Sequence, residues 1–244
     1  MIASERVMAH AEAVPDLRKS LLAFLVQACL AREQVRLAIG GPGAAGKSTF
    51  AADLKRAVEE AGGRACLLDI DCYLRDRQER AAQLPPVSGY DPAAYRLEDA
   101  ARDLAALADG MAVEVREYDK VAGTRLAPIT LHPAPILILE GSMALQPSLS
   151  NAADLRIYLT ADERVLFANR RAREITFGFD DAYILEKYRK LLPDYEAHIR
   201  PGAGRANLRL WVDDRYQLIA ADYDEAEPLL IKLREWLPPK PRVR

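Results

Sequence analysis

The segment Gly41-Pro42-Gly43-Ala44-Ala45-Gly46-Lys47-Ser48 fits the pattern G-x-x-x-x-G-K-[ST], whose chemistry is phosphate binding. Glycines let the backbone wrap tightly enough for successive N–H groups to point at phosphate oxygens. A helix beginning at the loop adds positive potential there. Lys47 then reaches the terminal phosphates and Ser48 offers its hydroxyl to Mg²⁺. Four constrained positions match by chance in roughly one chain of this length in a hundred. The context narrows this further: Val35–Ile39 reads as a strand before the loop, while Phe50, Leu54, Val58 and Ala61 recur near helical spacing after it, with Gly62-Gly63 as a stop. The expected ligand is a nucleoside triphosphate.

Acidic residues follow other apolar runs. Asp69 and Asp71 come after Ala65–Leu68, and Glu140 after Ile136–Leu139. Ligands of open parallel sheets lie beyond the carboxyl ends of strands. Phosphoryl transfer needs one carboxylate to hold or orient Mg²⁺ and another to accept a proton from the attacking hydroxyl. Aspartates also start turns at strand ends for purely structural reasons, but three at one phosphate loop weaken that explanation. Arg170, Arg171 and Arg173 fall on a helix expected over 162–174, where a mobile lid could grip phosphates. A solvated helix face is the plainer alternative. His10, His132 and His198 are isolated in sequence and suggest structural or surface roles.

The elements that must position these groups are legible as patterns. A helix is expected over 16–33, and strands over 35–40, 64–69, 136–140, 154–160 and 208–212. Helical patterns between several of them imply an α/β fold with a mostly parallel five-stranded sheet and helices on both faces. A further helix over 97–108 ends at Gly110, and alternation over Val113–Tyr118 with a turn near Gly123 predicts a small β-hairpin lobe, about 111–132. The lid spans about 162–200. Residues 1–237 read as a single domain and 238–244 as a disordered tail. With half its 244 residues hydrophobic, the chain can bury one substantial core. A net charge of −2 argues against a nucleic-acid surface, and no apolar run is long enough to span a membrane. A cytoplasmic location is the default, and Cys29, Cys66 and Cys72 show neither disulfide nor zinc spacing.

Over roughly residues 35–212 the chain resembles the uridine kinase / phosphoribulokinase group of P-loop kinases. The segments carrying this are Gly41–Thr49, Leu68–Tyr73, Gly89–Tyr95, Glu114–Arg125, Ile138–Gly141 and Arg170–Ile175. The resemblance implies a P-loop NTPase-type fold using ATP and Mg²⁺. ATP then binds through Gly41, Gly43, Ala44, Ala45, Gly46, Lys47, Ser48, Thr49 and Arg173. Asp71 matches the family's catalytic aspartate, working with Lys47 and Arg173, and Ser48 and Glu140 stand at the metal. Asp91 matches the aspartate that holds sugar hydroxyls, Tyr118 and Arg125 the ends of a hairpin motif closing over the acceptor, and Arg170 with Arg173 an R-x-x-R-[DE] lid motif. The implied function is γ-phosphate transfer from ATP to a hydroxyl of a small nucleoside, sugar or sugar phosphate. A nucleotide-binding regulator or NTPase without a small-molecule acceptor is the alternative, and homo-oligomerisation is left open.

The departures matter as much. Uridine kinases usually read Tyr-Asp-Phe-x-x-His-x-Arg in the hairpin, and here the aromatic and histidine positions are Lys120 and Gly123. Sites built around a hydrogen bond to one base discriminate by up to ~10⁴-fold, so this edit puts uridine in question. Lys120 suits an anionic acceptor if it faces the site, and is otherwise a solvated side chain. Where relatives carry further arginines in the lid, this chain has Thr176-Phe177-Gly178-Phe179, rings that either cover a ligand or pack the lid.

Overall fold

Runs of adjacent apolar residues, such as Ile136-Leu137-Ile138-Leu139, can be satisfied only where both faces of a strand are covered. The computed structural model describes residues 17–224 and 226–236 and shows this arrangement. In chain order the elements are α1 (Leu17–Leu30), β1 (Val35–Gly40), α2 (Lys47–Glu60), β2 (Ala65–Asp69), α3 (Arg77–Ala81), α4 (Leu97–Ala108), β3 (Val113–Asp119) and β4 (Thr124–Leu131). There follow β5 (Ile136–Glu140), α5 (Pro147–Ser150), β6 (Leu155–Ala161), α6 (Glu163–Thr176), α7 (Asp181–Asp194), α8 (Gly202–Arg205), β7 (Leu208–Val212), β8 (Leu218–Tyr223) and α9 (Leu233–Trp236). The main sheet has strand order β2-β5-β1-β6-β7-β8. All its pairings are parallel except that of β7 with β8.

The five strands expected from sequence are the parallel ones. The sixth, β8, is a correction to the five-stranded sheet. It joins β7 as an antiparallel edge, and only Leu218 is buried along it, so its pattern lacks the apolar density of the central strands. Alternation along β5 divides the core in two. Ile136 and Ile138 pack into the layer containing Leu25, Phe50 and Leu54, while Leu137 and Leu139 face the layer containing Leu68, Leu107 and Met143. Burying each such side chain is worth about 1.5–3 kcal/mol.

Helix ends largely follow the sequence signals. α2 stops at the expected Gly62-Gly63, whose N–H groups bond back to the carbonyls of Glu59 and Val58. α6 stops in the same way at Gly178, a capping role that its flanking phenylalanines had obscured. α1 starts within the expected span and ends at Leu30, three residues early. β3 and β4 pair as a separate antiparallel hairpin, and α6 and α7 follow β6, continued by a single π turn, Tyr195–Ile199. The proposed tail, residues 238–244, lies outside the described residues, as does His10. Among the described residues no helix is long and apolar enough to cross a membrane. The three cysteines are buried and unpaired, and burial pushes the Cys29 and Cys72 thiols up to about 12.

Candidate active site

Strand register assembles the acids. Asp69 on β2 stands opposite Glu140 on β5, and Glu140 opposite Ile39 on β1, the strand that runs directly into the phosphate loop. Both carboxylates therefore emerge at the sheet edge where Gly41–Gly46 turns into α2. Gly41 has a φ of +133° and lies so close to the Leu159 carbonyl that any Cβ would collide with it. This fixes the loop against β6. After Asp69 the chain tightens into a 3₁₀ turn, Ile70–Tyr73, capped by the Asp69 side chain, which accepts from the Asp71 N–H at 2.8 Å. Asp69 thereby orients Asp71.

These groups open onto one cavity of about 480 Å³, within the range of small-molecule sites. Of the residues expected at the site, Gly43, Ala44, Gly46, Lys47, Ser48, Thr49, Asp71, Tyr118, Glu140, Arg170 and Arg173 line it. Gly41 and Ala45 serve as its buried framework. Asp91 and Arg125 are not brought to it. The Asp91 carboxylate caps the 3₁₀ turn Pro92–Ala94 by accepting from the Ala93 N–H. Its ligand atoms lie near Asp194 and His198, so that His198 is isolated in sequence but not in space. Arg125 turns to Asp76, with its Nε 3.3 Å from that carboxylate. Arg171 is exposed and pairs with Asp181 at 2.7 Å, joining α6 to the start of α7 rather than facing the cavity.

Burial sets the electrostatics. Lys47 is deeply enclosed, its ammonium donating to the Pro42 carbonyl at 2.8 Å, and desolvation lowers its pKa to about 8 against the pull of Glu140 and Asp71. The Asp69 carboxyl lies well above the usual carboxylate range because it is buried and beside Asp71 and Glu140. Glu140 is likewise raised by burial, with Lys47 and a hydrogen bond from Ser48 opposing. One Glu140 oxygen is buried without a partner, as is the Nε of Arg173. An orphaned acceptor beside the Ser48 hydroxyl and an orphaned donor across the same cavity fit a cation and an anion respectively.

Several wall residues carried no assigned role in the sequence, and Lys120 and Phe179 carried only alternatives. Tyr90 receives hydrogen bonds from the Gly43 N–H and, at 2.7 Å, from Arg170. Arg170 also pairs with Glu174, which is bridged in turn by Lys187 from α7. A tyrosine thus ties the phosphate loop to both lid helices. Tyr95 donates to the Gly89 carbonyl at 3.0 Å and approaches Asp71 at 3.4 Å. Lys120 faces the site, 3.0 Å from the other Asp71 oxygen. Phe179 stacks on Tyr183, both on the cavity wall, and Tyr216 lies against Gly46. Only tertiary proximity gives Tyr90, Tyr95, Tyr183, Lys187 and Tyr216 a role. Tyr90 and Tyr95 at least sat inside a segment shared with known kinases.

Residues 37–214 match the model of the Phosphoribulokinase / Uridine kinase family. A uridine kinase of Leuconostoc citreum is 25% identical over 177 residues, covering 70% of this chain and 84% of its own. The solved YGR205w protein superposes with a TM-score of 0.69 at 14% identity, over 86% of this chain and 98% of that one. A protein described as a possible uridine kinase from Bacillus stearothermophilus gives 0.55 at 20% identity, over 80% and 99%. These likenesses establish the P-loop kinase fold, and the match to the family model spans most of the chain. The chain belongs to the phosphoribulokinase / uridine kinase family.

Proposed function

We propose that the protein is an ATP-dependent kinase that phosphorylates a hydroxyl of a small nucleoside, sugar or sugar phosphate. The observation that carries this reading is that the phosphate loop, Asp71 and the lid arginines line one cavity with room for nucleotide and acceptor ends. Amides of Ala44 to Ser48 and the Lys47 ammonium receive the phosphates, and Arg173 presents its unpartnered Nε to them. Ser48 and Glu140 would hold Mg²⁺, which supplies neutralisation of phosphate charge. Asp71, held by Asp69, accepts the proton of the acceptor hydroxyl. The hydroxyl oxygen forms a bond to the γ-phosphorus while the bond to the β–γ bridging oxygen breaks, its electron pair leaving with ADP.

ADP release measured across nucleosides, pentoses and sugar phosphates tests this. Turnover is expected to depend on an acceptor. Asp71→Asn is expected to cut it by roughly 10²–10⁴-fold, the range for loss of a general base, with ATP affinity retained. Lys47→Ala is expected to weaken both. ATP hydrolysis indifferent to every acceptor would contradict the reading, and undiminished turnover in Asp71→Asn would remove Asp71 from it.

A further inference from the structure

The tip of the β3–β4 hairpin brings Lys120 to the acceptor end of the cavity, where Arg77 and Arg80 of α3 also stand. The Lys120 ammonium sits 3.0 Å from an Asp71 oxygen, and the other oxygen faces the Tyr95 hydroxyl at 3.4 Å. The carboxylate that must accept a proton is therefore clamped. Arg77, at the start of α3, donates from one terminal nitrogen to the carbonyls of Lys120 and Val121 at 3.0 and 3.1 Å. Its N–H bonds the Gly123 carbonyl at 2.8 Å. Gly123 has a φ of +78°, and a Cβ there would lie 2.7 Å from the Arg77 guanidinium carbon. The space a side chain at 123 would need is filled by that guanidinium. Arg77, Lys120 and Arg80, whose guanidinium donates to the Tyr118 hydroxyl at 3.0 Å, all line the cavity.

We propose that the acceptor carries an anionic group, a phosphate or carboxylate beside its reactive hydroxyl, and that Lys120 selects for it by exchanging Asp71 for that group. This deepens the kinase reading and rests on it. A neutral alcohol offers Lys120 only dipolar partners, weaker than the carboxylate it would leave. An anionic acceptor offers an equivalent charge, with Arg77 and Arg80 at hand, and its arrival leaves Asp71 free to accept the hydroxyl proton. The pair is accessible enough for such exchange: the Lys120 side chain is 44% exposed and that of Asp71 21%. Lys120 is thus a specificity-determining residue.

The test compares kcat/KM for matched alcohols in the full-length protein: nucleosides against their 5′-monophosphates, pentoses against their phosphomonoesters, and pentoses against the corresponding aldonic acids. The phosphate and carboxylate arms distinguish the two forms of the anion. The expected result is a preference of about tenfold or more for the anionic members of at least one arm, the scale of a hydrogen bond between charged groups. Lys120→Met is expected to erase that ratio, mainly through KM, and Lys120→Arg to restore part of it. Equal or better turnover of neutral partners would overturn this inference while leaving the kinase reading intact, as would a preference that survives Lys120→Met. Failure of every acceptor would overturn both.

Discussion

Asp69 illustrates how single residues here carry strain for function. Its carboxyl is raised well above the ordinary range by burial and by Asp71 and Glu140. An acid raised in the folded state stabilises fully only below its ordinary pKa of about 4, and that contribution is lost as pH rises through the folded value. At neutral pH the ionised form opposes folding. Asp69→Asn keeps an oxygen to accept from the Asp71 N–H and removes the charge. The nucleotide-free variant is expected to melt higher at pH 7, with the gain shrinking toward pH 4. Calorimetry at the two pH values checks this, and a lower melting temperature at pH 7 would contradict it. That Lys47, Ser48 and Asp71 share one cavity was legible in sequence because their spacing is imposed by a loop and a strand end. Asp91 and Arg125 carried equally plausible signatures, yet one caps a turn and the other turns to Asp76. A local pattern specifies residue type and not side-chain direction.

Elements communicate through Tyr90. Its hydroxyl accepts from the Gly43 N–H and from Arg170, whose guanidinium lies 5.7 Å from the Tyr90 ring centre and continues to Glu174 and Lys187. Removing that oxygen leaves a buried guanidinium short of an acceptor, at a cost on the order of 1–3 kcal/mol. Tyr90→Phe retains the ring packed near Tyr195. Faster hydrogen exchange over α6 is expected in the nucleotide-free protein, with the central strands unchanged. Exchange indistinguishable from the parent would show that the lid is held by other contacts. The elements themselves were largely legible: α4 runs over the residues that its spacing predicted, and the hairpin turns at Gly123. The link between Tyr90 and the loop is 47 residues long in sequence, and no period or motif encodes such a contact. Arg77 filling the space over Gly123 was hidden for the same reason.

At the scale of the molecule, a doubly covered parallel sheet holds the phosphate loop, the acids and the lid at one edge, and only the antiparallel β8 was missing from the pattern of strands. Its half-exposed residues, which include Ile219 at 43%, lack the continuous apolar signal of a buried strand. That edge also turns Asp71 toward the phosphate loop across the shared cavity. A hydroxyl ready for transfer lies ~3–3.5 Å from phosphorus and within ~2.6–3.2 Å of its base. A crystal structure with Mg²⁺ and a non-hydrolysable ATP analogue therefore measures this geometry. The γ-phosphorus is predicted to sit over the Ala44–Lys47 amides with an Asp71 oxygen no more than about 6 Å away. An Asp71 carboxylate turned away from that phosphate, or farther from it than a single bound hydroxyl can bridge, would contradict the account.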